Sequence, residues 1–249
     1  MSKSIVVTGA SRGIGSATAR LAGKRGWSVV VNYVGNAAAA ADTAAAVEAA
    51  GGKAIVVKGD VAIERDVVAL FDAAAKAFGT IDGVVNNAGI IVAPPQPLAD
   101  MSIERIQRTV AVNVVGAYLV AREAVRRMAK SRGGSGGAIV NISSAAARLG
   151  GPGEYVDYAG SKAAMDTLTI GLSKEVGKDG VRVNAVRPGL IETDIHASGG
   201  APGRAERLGV TVPLGRAGTP AEVAEAIVWL LSDEASYVNG TLLEVTGGR

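Results

Sequence analysis

An eight-residue segment near the beginning of the chain reads Thr8-Gly9-Ala10-Ser11-Arg12-Gly13-Ile14-Gly15. It follows a short β-branched run and precedes an alanine-rich segment, which is the order of a strand, a turn and a helix. Its three glycines let the backbone turn tightly and approach a pyrophosphate group, and the next helix offers free N–H groups at its N-terminus. The spacing is G-x-x-x-G-x-G and no lysine follows Gly15, which disfavours the phosphate loop of a nucleoside triphosphatase. The segment therefore predicts a dinucleotide-binding turn.

Short β-branched runs alternate with longer, alanine-rich segments along the rest of the chain. The expected strands are Ser4–Thr8, Ser28–Asn32, Ala54–Lys58, Gly83–Asn86, Ala138–Ile142, Val181–Val186 and Thr241–Val245. The expected helices are Ile14–Arg25, Ala37–Ala50, Glu64–Phe78, Ser102–Lys130, Tyr158–Gly177 and Pro220–Ser232. Strands that are apolar on both faces indicate a parallel sheet covered by helices on both sides. We expect a single α/β domain over residues 1–249, with a Rossmann-like, doubly wound parallel sheet of about seven strands.

The segment from about Ile195 to Val212 interrupts this alternation. It is rich in glycine and carries a proline. Segments of this kind lie on the surface and often close over a binding site. We expect a mobile substrate lid at about 195–212.

Composition excludes several classes of function. The net charge is 26 − 23 = +3 and lysine and arginine are scattered, so we expect no nucleic-acid partner. Cysteine is absent and His196 is the single histidine, so we expect no disulfide, no Ser-His-Asp triad and no metal site, and we interpret His196 as a surface residue. Apolar runs are too short for a membrane span and no signal peptide is evident, which predicts a cytoplasmic protein without a membrane partner.

The end of the second strand indicates which dinucleotide is bound. An acid at this point would bind the ribose 2′-hydroxyl of NAD and repel a 2′-phosphate. Here the strand ends in Asn32 and Tyr33, and the first acid after Gly15 is Asp42. Arg12, within the glycine segment, can supply a cation to a phosphate. These residues favour NADP(H), while NAD(H) stays possible.

Tyr158 and Lys162 form a Y-x-x-x-K pattern, which places both side chains on one face of a helix. A free tyrosine has a pKa near 10, and a cation one turn away lowers it, so that the hydroxyl can exchange a proton with a substrate oxygen. Upstream, a strand ends in Ser143-Ser144 at the carboxyl edge of the sheet, where ligands bind. Tyr155 is the rival tyrosine, but its i+4 residue is not a cation.

Ordered motifs along the whole chain resemble those of the classical short-chain dehydrogenase/reductase family. They are Thr8–Gly15, Asp60-Val61, Asn86-Asn87-Ala88-Gly89, Asn113, Asn141-Ile142-Ser143-Ser144, Tyr158–Lys162 and Arg187-Pro188-Gly189. The resemblance implies an oxidoreductase that interconverts a carbonyl and a secondary alcohol by hydride transfer. It implies a catalytic tetrad of Asn113, Ser144, Tyr158 and Lys162.

The resemblance also implies a role for each of these groups. Tyr158 is the general acid/base, Ser144 positions the substrate oxygen, Lys162 binds the nicotinamide ribose, and Asn113 helps to hold a water that links Lys162 to solvent. The cofactor-binding residues that it implies, together with those inferred above, are Gly9, Ser11, Arg12, Gly13, Ile14, Gly15, Asn32, Tyr33, Asp60, Val61, Asn87, Ala88, Gly89, Tyr158, Lys162, Pro188, Gly189, Ile191 and Thr193.

The chain looks most like 3-oxoacyl-carrier-protein reductases and sugar or polyol dehydrogenases within the family. Ser144 precedes Tyr158 by 14 residues where close relatives are expected to have about 13, and the extra residue falls in the loop Ala147–Glu154. The substrate is therefore left open: a small carbonyl or alcohol, or a carrier-bound one met by Arg148 and Arg204. The alternatives are an NAD(H)-dependent sugar or polyol dehydrogenase and a non-catalytic dinucleotide-binding regulator. Family members are usually homodimers or homotetramers, with the long helices and the tail Thr241–Val245 as expected interfaces.

Overall fold

The computed structural model describes residues 3–249 and contains a seven-stranded sheet in which every neighbouring pair is parallel. The strands are β1 (Ser4–Val7), β2 (Ser28–Tyr33), β3 (Lys53–Lys58), β4 (Gly83–Asn86), β5 (Gly137–Ile142), β6 (Val181–Pro188) and β7 (Leu242–Val245). Their order across the sheet is β3-β2-β1-β4-β5-β6-β7. The predicted seven-stranded, doubly wound parallel sheet is confirmed.

Helices connect the strands, and their bounds lie close to the expected ones in most cases. They are α1 (Gly13–Lys24), α2 (Ala37–Ala49), α3 (Glu64–Phe78), α4 (Ile103–Val110), α5 (Ala117–Met128), α6 (Ala146–Leu149), α7 (Val156–Val176), α8 (Ile195–Ser198), α9 (Arg204–Gly209) and α10 (Pro220–Leu231). Short 3₁₀ turns occur at Leu98–Asp100, Lys130–Arg132, Gly177–Asp179 and Asp233–Ala235.

Two apolar layers lie on opposite faces of the sheet, because successive strand residues point to opposite sides. Ile5 and Val7 of β1 pack with α1, α2 and α10. Val6, between them, packs with α3 and α5, where Phe71 is fully buried. A helix layer on each face is what the apolar strands require, and it leaves the carboxyl edge of the sheet open for a site.

The edge strand β3 departs from the expectation that strands are apolar on both faces. Lys53, Val56 and Lys58 are exposed because no further strand or helix covers this edge within residues 3–249. Lysines at both ends of an edge strand hinder pairing with another chain.

The expected helix over Ser102–Lys130 is present over residues 103–128, but it is not α-helical throughout. A π-helical segment, Ala111–Gly116, joins α4 to α5. Within it, Asn113 hydrogen-bonds both the N–H and the carbonyl of Ile90, in the loop after β4. Such π turns are frequent at functional sites, and this one places an amide under the edge of the sheet where β4 ends.

The segment expected to be a lid is also more ordered than a plain loop, because α8 and α9 form within it. Among residues 3–249, no helix is long and apolar enough to cross a membrane.

Candidate active site

A cavity of about 920 Å³ opens at the carboxyl edge of the sheet, beside the point where β1 is flanked by β2 and β4. Its walls come from the loops that follow β1, β2, β4, β5 and β6, and from the lid segment. A volume of this size suits a dinucleotide or a large organic ligand, and the position is where doubly wound sheets bind them.

The glycine loop after β1 is packed too closely for side chains. Gly9 has φ +62°, and a Cβ there would lie 3.0 Å from Cα of Ala88. A Cβ on Gly15 would lie 2.6 Å from Nδ2 of Asn87 and 2.6 Å from the carbonyl oxygen of Gly9. That Asn87 amide donates to the carbonyls of Thr8 (2.8 Å) and Gly9 (3.1 Å), which ties the loop after β4 to the glycine loop.

The N-terminus of α1 faces the cavity without a cap. Within residues 3–249, the side chain of its N-cap residue, Arg12, accepts or donates no capping hydrogen bond. The first turn of α1 carries no acidic residue. The turn therefore presents N–H donors and a positive dipole end to the cavity. Together with the bare glycine loop, this arrangement fits the diphosphate of a dinucleotide.

Asn32 is not among the residues that line the cavity, so its position does not support the predicted contact with the cofactor. Its side chain is buried and its oxygen accepts from the N–H of Gly9, at 3.2 Å. Its amide donates to the carbonyls of Val57 (3.3 Å) and Gly59 (3.0 Å). The alternation of side chains along a strand turns Asn32 inward and its neighbour Tyr33 toward the cavity.

Arg12 lines the cavity and its side chain is mostly exposed. Its Nη2 donates to Oγ of Ser198 at 3.3 Å, and its Nη1 lies 3.8 Å from the carboxylate of Asp194. Both partners belong to the lid region around α8. Arg12 thus presents a cation at the cavity wall, and it also contacts the segment around α8.

Asp60 and Val61 follow β3 and line the part of the cavity expected to hold adenine. One carboxylate oxygen of Asp60 accepts from the N–H of Ala62 at 2.9 Å, which fixes the turn before α3. The other pairs with Arg108 of α4 at 3.1 Å. Arg108 also lines the cavity. Sequence reasoning missed it, because an arginine on an amphipathic helix carries no motif.

Ser144, Tyr158 and Lys162 meet at the end of β5. Ser144 is half-buried and its Oγ accepts from the N–H of Ala146 at 3.1 Å. Lys162 is buried on α7, and its Nζ donates to the carbonyl of Ile142 at 2.7 Å. The same Nζ lies 5.6 Å from the centre of the Tyr158 ring. All three side chains line the same cavity as the glycine loop.

Burial is the main cause of the pKa shifts of Tyr158 and Lys162. Burial raises the pKa of Tyr158 to about 12, and a hydrogen bond with Ser144 opposes the rise. Burial lowers the pKa of Lys162 to about 8, against the field of Asp166 one turn along α7. The expected net lowering of the pKa of Tyr158 is therefore not found in this arrangement, because burial outweighs the hydrogen bond with Ser144. At neutral pH the phenol is protonated and the lysine is mostly a cation, which suits proton donation to a developing alkoxide.

Asn113 lies beneath this group and outside the cavity lining. Its Nδ2 donates to the carbonyl of Ile90 (2.9 Å) and to Oγ of Ser161 (3.0 Å), and its Oδ1 accepts from the N–H of Ile90 (2.8 Å). A Cβ on Gly89 would lie 3.2 Å from Nζ of Lys162 and 3.5 Å from Oδ1 of Asn113, so the three residues are close neighbours. The amide holds the loop after β4 against α7.

The loop after β6 closes the far end of the cavity. Pro188, Gly189, Ile191 and Thr193 all line it. His196 lines it too, and its Nε2 is 3.1 Å from the carbonyl oxygen of Ile191. Burial lowers the pKa of His196, so the ring is mainly neutral at pH 7. His196 is thus half-buried in the cavity wall rather than fully exposed.

Arg204 and Tyr155, which the sequence analysis considered separately, belong to one cluster in the cavity wall. Arg204 of α9 makes two hydrogen bonds to the carboxylate of Glu154, at 2.7 and 2.6 Å. The Tyr155 hydroxyl donates to the carbonyl of Gly199 at 3.1 Å, and the Arg204 guanidinium lies 5.6 Å from the ring centre. These contacts fasten the segment with α8 and α9 to the loop before α7. Glu154 and Arg204 are 50 positions apart, so no local pattern signals their pairing.

The structure brings nearly all of the predicted site residues to one cavity. Those that line it are Gly9, Ser11, Arg12, Gly13, Ile14, Tyr33, Asp60, Val61, Asn87, Ala88, Gly89, Ser144, Tyr158, Lys162, Pro188, Gly189, Ile191 and Thr193. Gly15, Asn32 and Asn113 lie behind the lining and hold its loops in place.

Fold, glycine loop and the Ser144–Tyr158–Lys162 group together define a nicotinamide-dependent oxidoreductase, and the chain belongs to the classical short-chain dehydrogenase/reductase family. The family model described as enoyl-(acyl carrier protein) reductase matches residues 9–249. Members of this family oxidise alcohols or reduce carbonyl compounds with a nicotinamide dinucleotide, and this chain is an enzyme of that kind.

Several known proteins are similar to this chain over its whole length. The uncharacterized oxidoreductase YgfF of Escherichia coli (strain K12) is 53% identical over 98% of both chains. The 3beta-hydroxysteroid dehydrogenase 1 of Eggerthella lenta is 44% identical over 99% of this chain and 93% of its own. Glucose 1-dehydrogenase 2 of Bacillus subtilis (strain 168) is 39% identical over 99% and 94%. A solved structure of a mutant Serratia marcescens short-chain dehydrogenase/reductase has a TM-score of 0.89 at 32% identity, over 99% and 97% of the two chains.

Proposed function

We propose that this protein is an NADP(H)-dependent oxidoreductase that interconverts a ketone and a secondary alcohol, with Tyr158 as general acid/base. The observation that carries the proposal is the meeting of Ser144, Tyr158 and Lys162 in the cavity that the glycine loop also lines. A proton donor, an oxygen-holding hydroxyl and a buried cation then stand beside the place where a dinucleotide fits.

Each side chain has a definite task in carbonyl reduction. The nicotinamide, when bound, supplies the hydride. Ser144 holds the substrate oxygen, and Tyr158 donates its phenolic proton to that oxygen as charge develops on it. The Lys162 cation, held against the Ile142 carbonyl, stabilises the phenolate that remains. Asn113 keeps the loop after β4 in place beside Lys162.

The preference for NADP(H) rests on charge around the end of β2. Tyr33, Val34, Gly35 and Asn36 line the cavity here, and none of them is acidic. Asp60 lies on the same side, but Arg108 pairs with it. Arg12 adds a mostly exposed cation, which favours a 2′-phosphate over a free 2′-hydroxyl.

The deciding experiment is NADPH oxidation with a panel of ketones, for the wild type and for Tyr158→Phe. We expect Tyr158→Phe to lose turnover by about 10²- to 10⁴-fold, because it removes the proton donor, and to bind NADPH normally by fluorescence titration. Tyr237→Phe, at an exposed tyrosine, is the matched control. A wild type that binds NADPH and turns over no carbonyl would instead be a dinucleotide-binding regulator.

For the substrate we propose a small carbonyl or alcohol that is not carrier-bound. Arg204 is paired with Glu154, and Arg148 lies 3.7 Å from Glu244, so neither is an unpaired cation for an acidic carrier protein. Relatives named as steroid, glucose and L-rhamnose dehydrogenases act on small alcohols, and the last is named with NAD(P)⁺. An NAD(H)-dependent sugar or polyol dehydrogenase is the alternative that the same panel tests, with both cofactors.

We also propose that the enzyme is a homodimer or homotetramer. The π segment and α5 expose Val115 and Tyr118, and α7 exposes Ile170. Apolar side chains on long helices are typical of faces that a second copy covers. Size-exclusion chromatography with light scattering tests this, and a monomer at micromolar concentration would contradict it.

A further inference from the structure

Arg105 of α4 and Asp157 of α7 form a buried ion pair directly beside the proposed acid/base. Their side chains are 4% and 3% exposed. Nε of Arg105 donates to one carboxylate oxygen of Asp157 at 2.9 Å, and Nη2 donates to the other at 3.2 Å. Asp157 is the residue before Tyr158, and both members of the pair lie outside the cavity lining.

A second contact ties the carboxylate of Asp157 to α4, since its Oδ2 accepts from the hydroxyl of Thr109 at 3.2 Å. The N-cap of α7, Tyr155, makes no cap bond with its side chain within residues 3–249. Asp157 lies in the first turn of α7, where the helix dipole favours its negative charge.

Arg105 also makes hydrogen bonds outside its ion pair with Asp157. Its Nη2 donates to the carbonyl of Glu154 at 3.2 Å, and its Nη1 donates to the carbonyl of Pro94. One guanidinium thus joins α4, the loop that follows β4, and the four residues that lead into Tyr158. Those residues include Glu154 and Tyr155, which fasten the lid through Arg204 and Gly199.

Stability alone gives a weak reason for such a pair. Burying two charges costs desolvation energy, and apolar residues of the same volume often stabilise a protein equally well or better. A bidentate pair does supply a fixed geometry, since the guanidinium fork and the carboxylate match in one orientation only. Positioning within about 0.5 Å is what proton transfer requires.

We propose that Arg105 and Asp157 are positioning residues that set the Tyr158 hydroxyl against Ser144 and the substrate oxygen. The proposal rests on the proposed role of Tyr158. It assigns to the pair no contact with cofactor or substrate, so its loss acts on turnover and leaves cofactor binding intact.

The test compares Asp157→Asn, Arg105→Lys and Arg105→Met with the wild type, well below the melting temperature of each. For Asp157→Asn we expect kcat to fall about 10- to 100-fold, with KM for NADPH within about twofold of the wild type, because a small misplacement of the acid is costly. Arg105→Lys keeps the positive charge but cannot make the two parallel hydrogen bonds of the guanidinium. Its kcat should therefore lie between those of Arg105→Met and the wild type.

The matched control is Glu123→Gln. Glu123 is a carboxylate of similar burial on α5, paired with Arg126 at 2.7 Å, and it is not among the residues that line the cavity. We expect it to lower the melting temperature and leave kcat unchanged. If Asp157→Asn fails to fold, Thr109→Val removes a single hydrogen bond to Asp157 and should lower kcat by a smaller factor.

Two results would overturn the inference: an Asp157→Asn enzyme with wild-type kcat, or the same fall in kcat for Glu123→Gln. Failure of the proposed function looks different. In that case Tyr158→Phe itself would keep its turnover, whereas failure of the inference alone leaves Tyr158→Phe inactive and Asp157→Asn active.

Discussion

The side-chain oxygen of Asn32 accepts a hydrogen bond from the backbone N–H of Gly9, at 3.2 Å, and so joins the end of β2 to the glycine loop. The amide of the same residue donates to two carbonyls, of Val57 and Gly59. Asn32 is thus a buried structural link between three segments. A carboxylate here would face two carbonyl oxygens without a donor between them.

Asn32→Asp is therefore expected to destabilise the protein. We expect the free energy of unfolding to fall by about 1–3 kcal/mol, the range for leaving buried polar groups unpaired. Denaturant unfolding monitored by circular dichroism measures this. A variant of wild-type stability whose preference moved to NADH would show instead that the side chain faces the cofactor.

Tyr33 is the position where cofactor preference can be changed, because it is the last residue of β2 and lines the cavity. Tyr33→Asp places a carboxylate where it would repel a 2′-phosphate and accept from a 2′-hydroxyl. We expect the ratio of kcat/KM for NADPH to that for NADH to fall about tenfold or more, equivalent to about 1.4 kcal/mol.

Tyr33→Asn is the matched control, since it removes the same ring without adding a charge. Any loss common to both variants reports the ring, and the difference between them reports the charge. Equal ratios in the two variants would contradict our argument for NADP(H).

The lowered pKa of Lys162 predicts an alkaline limit for ketone reduction. The lysine loses its charge as pH rises through about 8, while Tyr158 keeps its proton up to about 12. The step that needs the Lys162 cation should therefore weaken above about pH 8. A pH profile of kcat/KM for ketone reduction that stays flat from pH 7 to 10 would speak against a role for this cation.

The lowered pKa of Lys162 also affects stability: as pH rises, stability is expected to increase while ketone reduction weakens. Between about pH 8 and the unfolded value of 10.5, the unfolded chain binds a proton on Lys162 that the folded protein has lost. Stability then rises with pH across this window. Relative to Lys162→Met, the wild type should gain about 1–2 kcal/mol from pH 7.5 to 9.5, where the raised pKa of Tyr158 has no effect. A constant difference in the free energy of unfolding would show that the pKa is not lowered.

Much of the fold and site is visible in the sequence because their signals are local. The glycine spacing after β1, the two-sided apolar strands and the Y-x-x-x-K pattern each lie within about two helical turns of chain. These patterns place Gly9, Ser144, Tyr158 and Lys162 in one cavity, and the structure has them there.

What the sequence leaves open depends on contacts between distant segments. The hydrogen bond that ties Asn32 to Gly9 joins residues 23 positions apart. The Arg105–Asp157 pair spans 52 positions, and neither residue belongs to a motif. The π segment at Asn113 likewise has no compositional signature, since its residues form a continuous apolar helix pattern.

The ion pair of Glu154 and Arg204 joins the proposed lid to the loop before α7. The pair is bidentate, and its side chains are partly exposed at the substrate end of the cavity. If it holds the lid over the substrate, Arg204→Glu and Glu154→Arg each place like charges together and should raise KM for the ketone several-fold, with KM for NADPH unchanged. The double variant with both changes restores an opposite pair and should recover most of the affinity. Steady-state kinetics of the three variants measure this, and a double variant no better than either single one would show that the charges do not act on each other in closing the site.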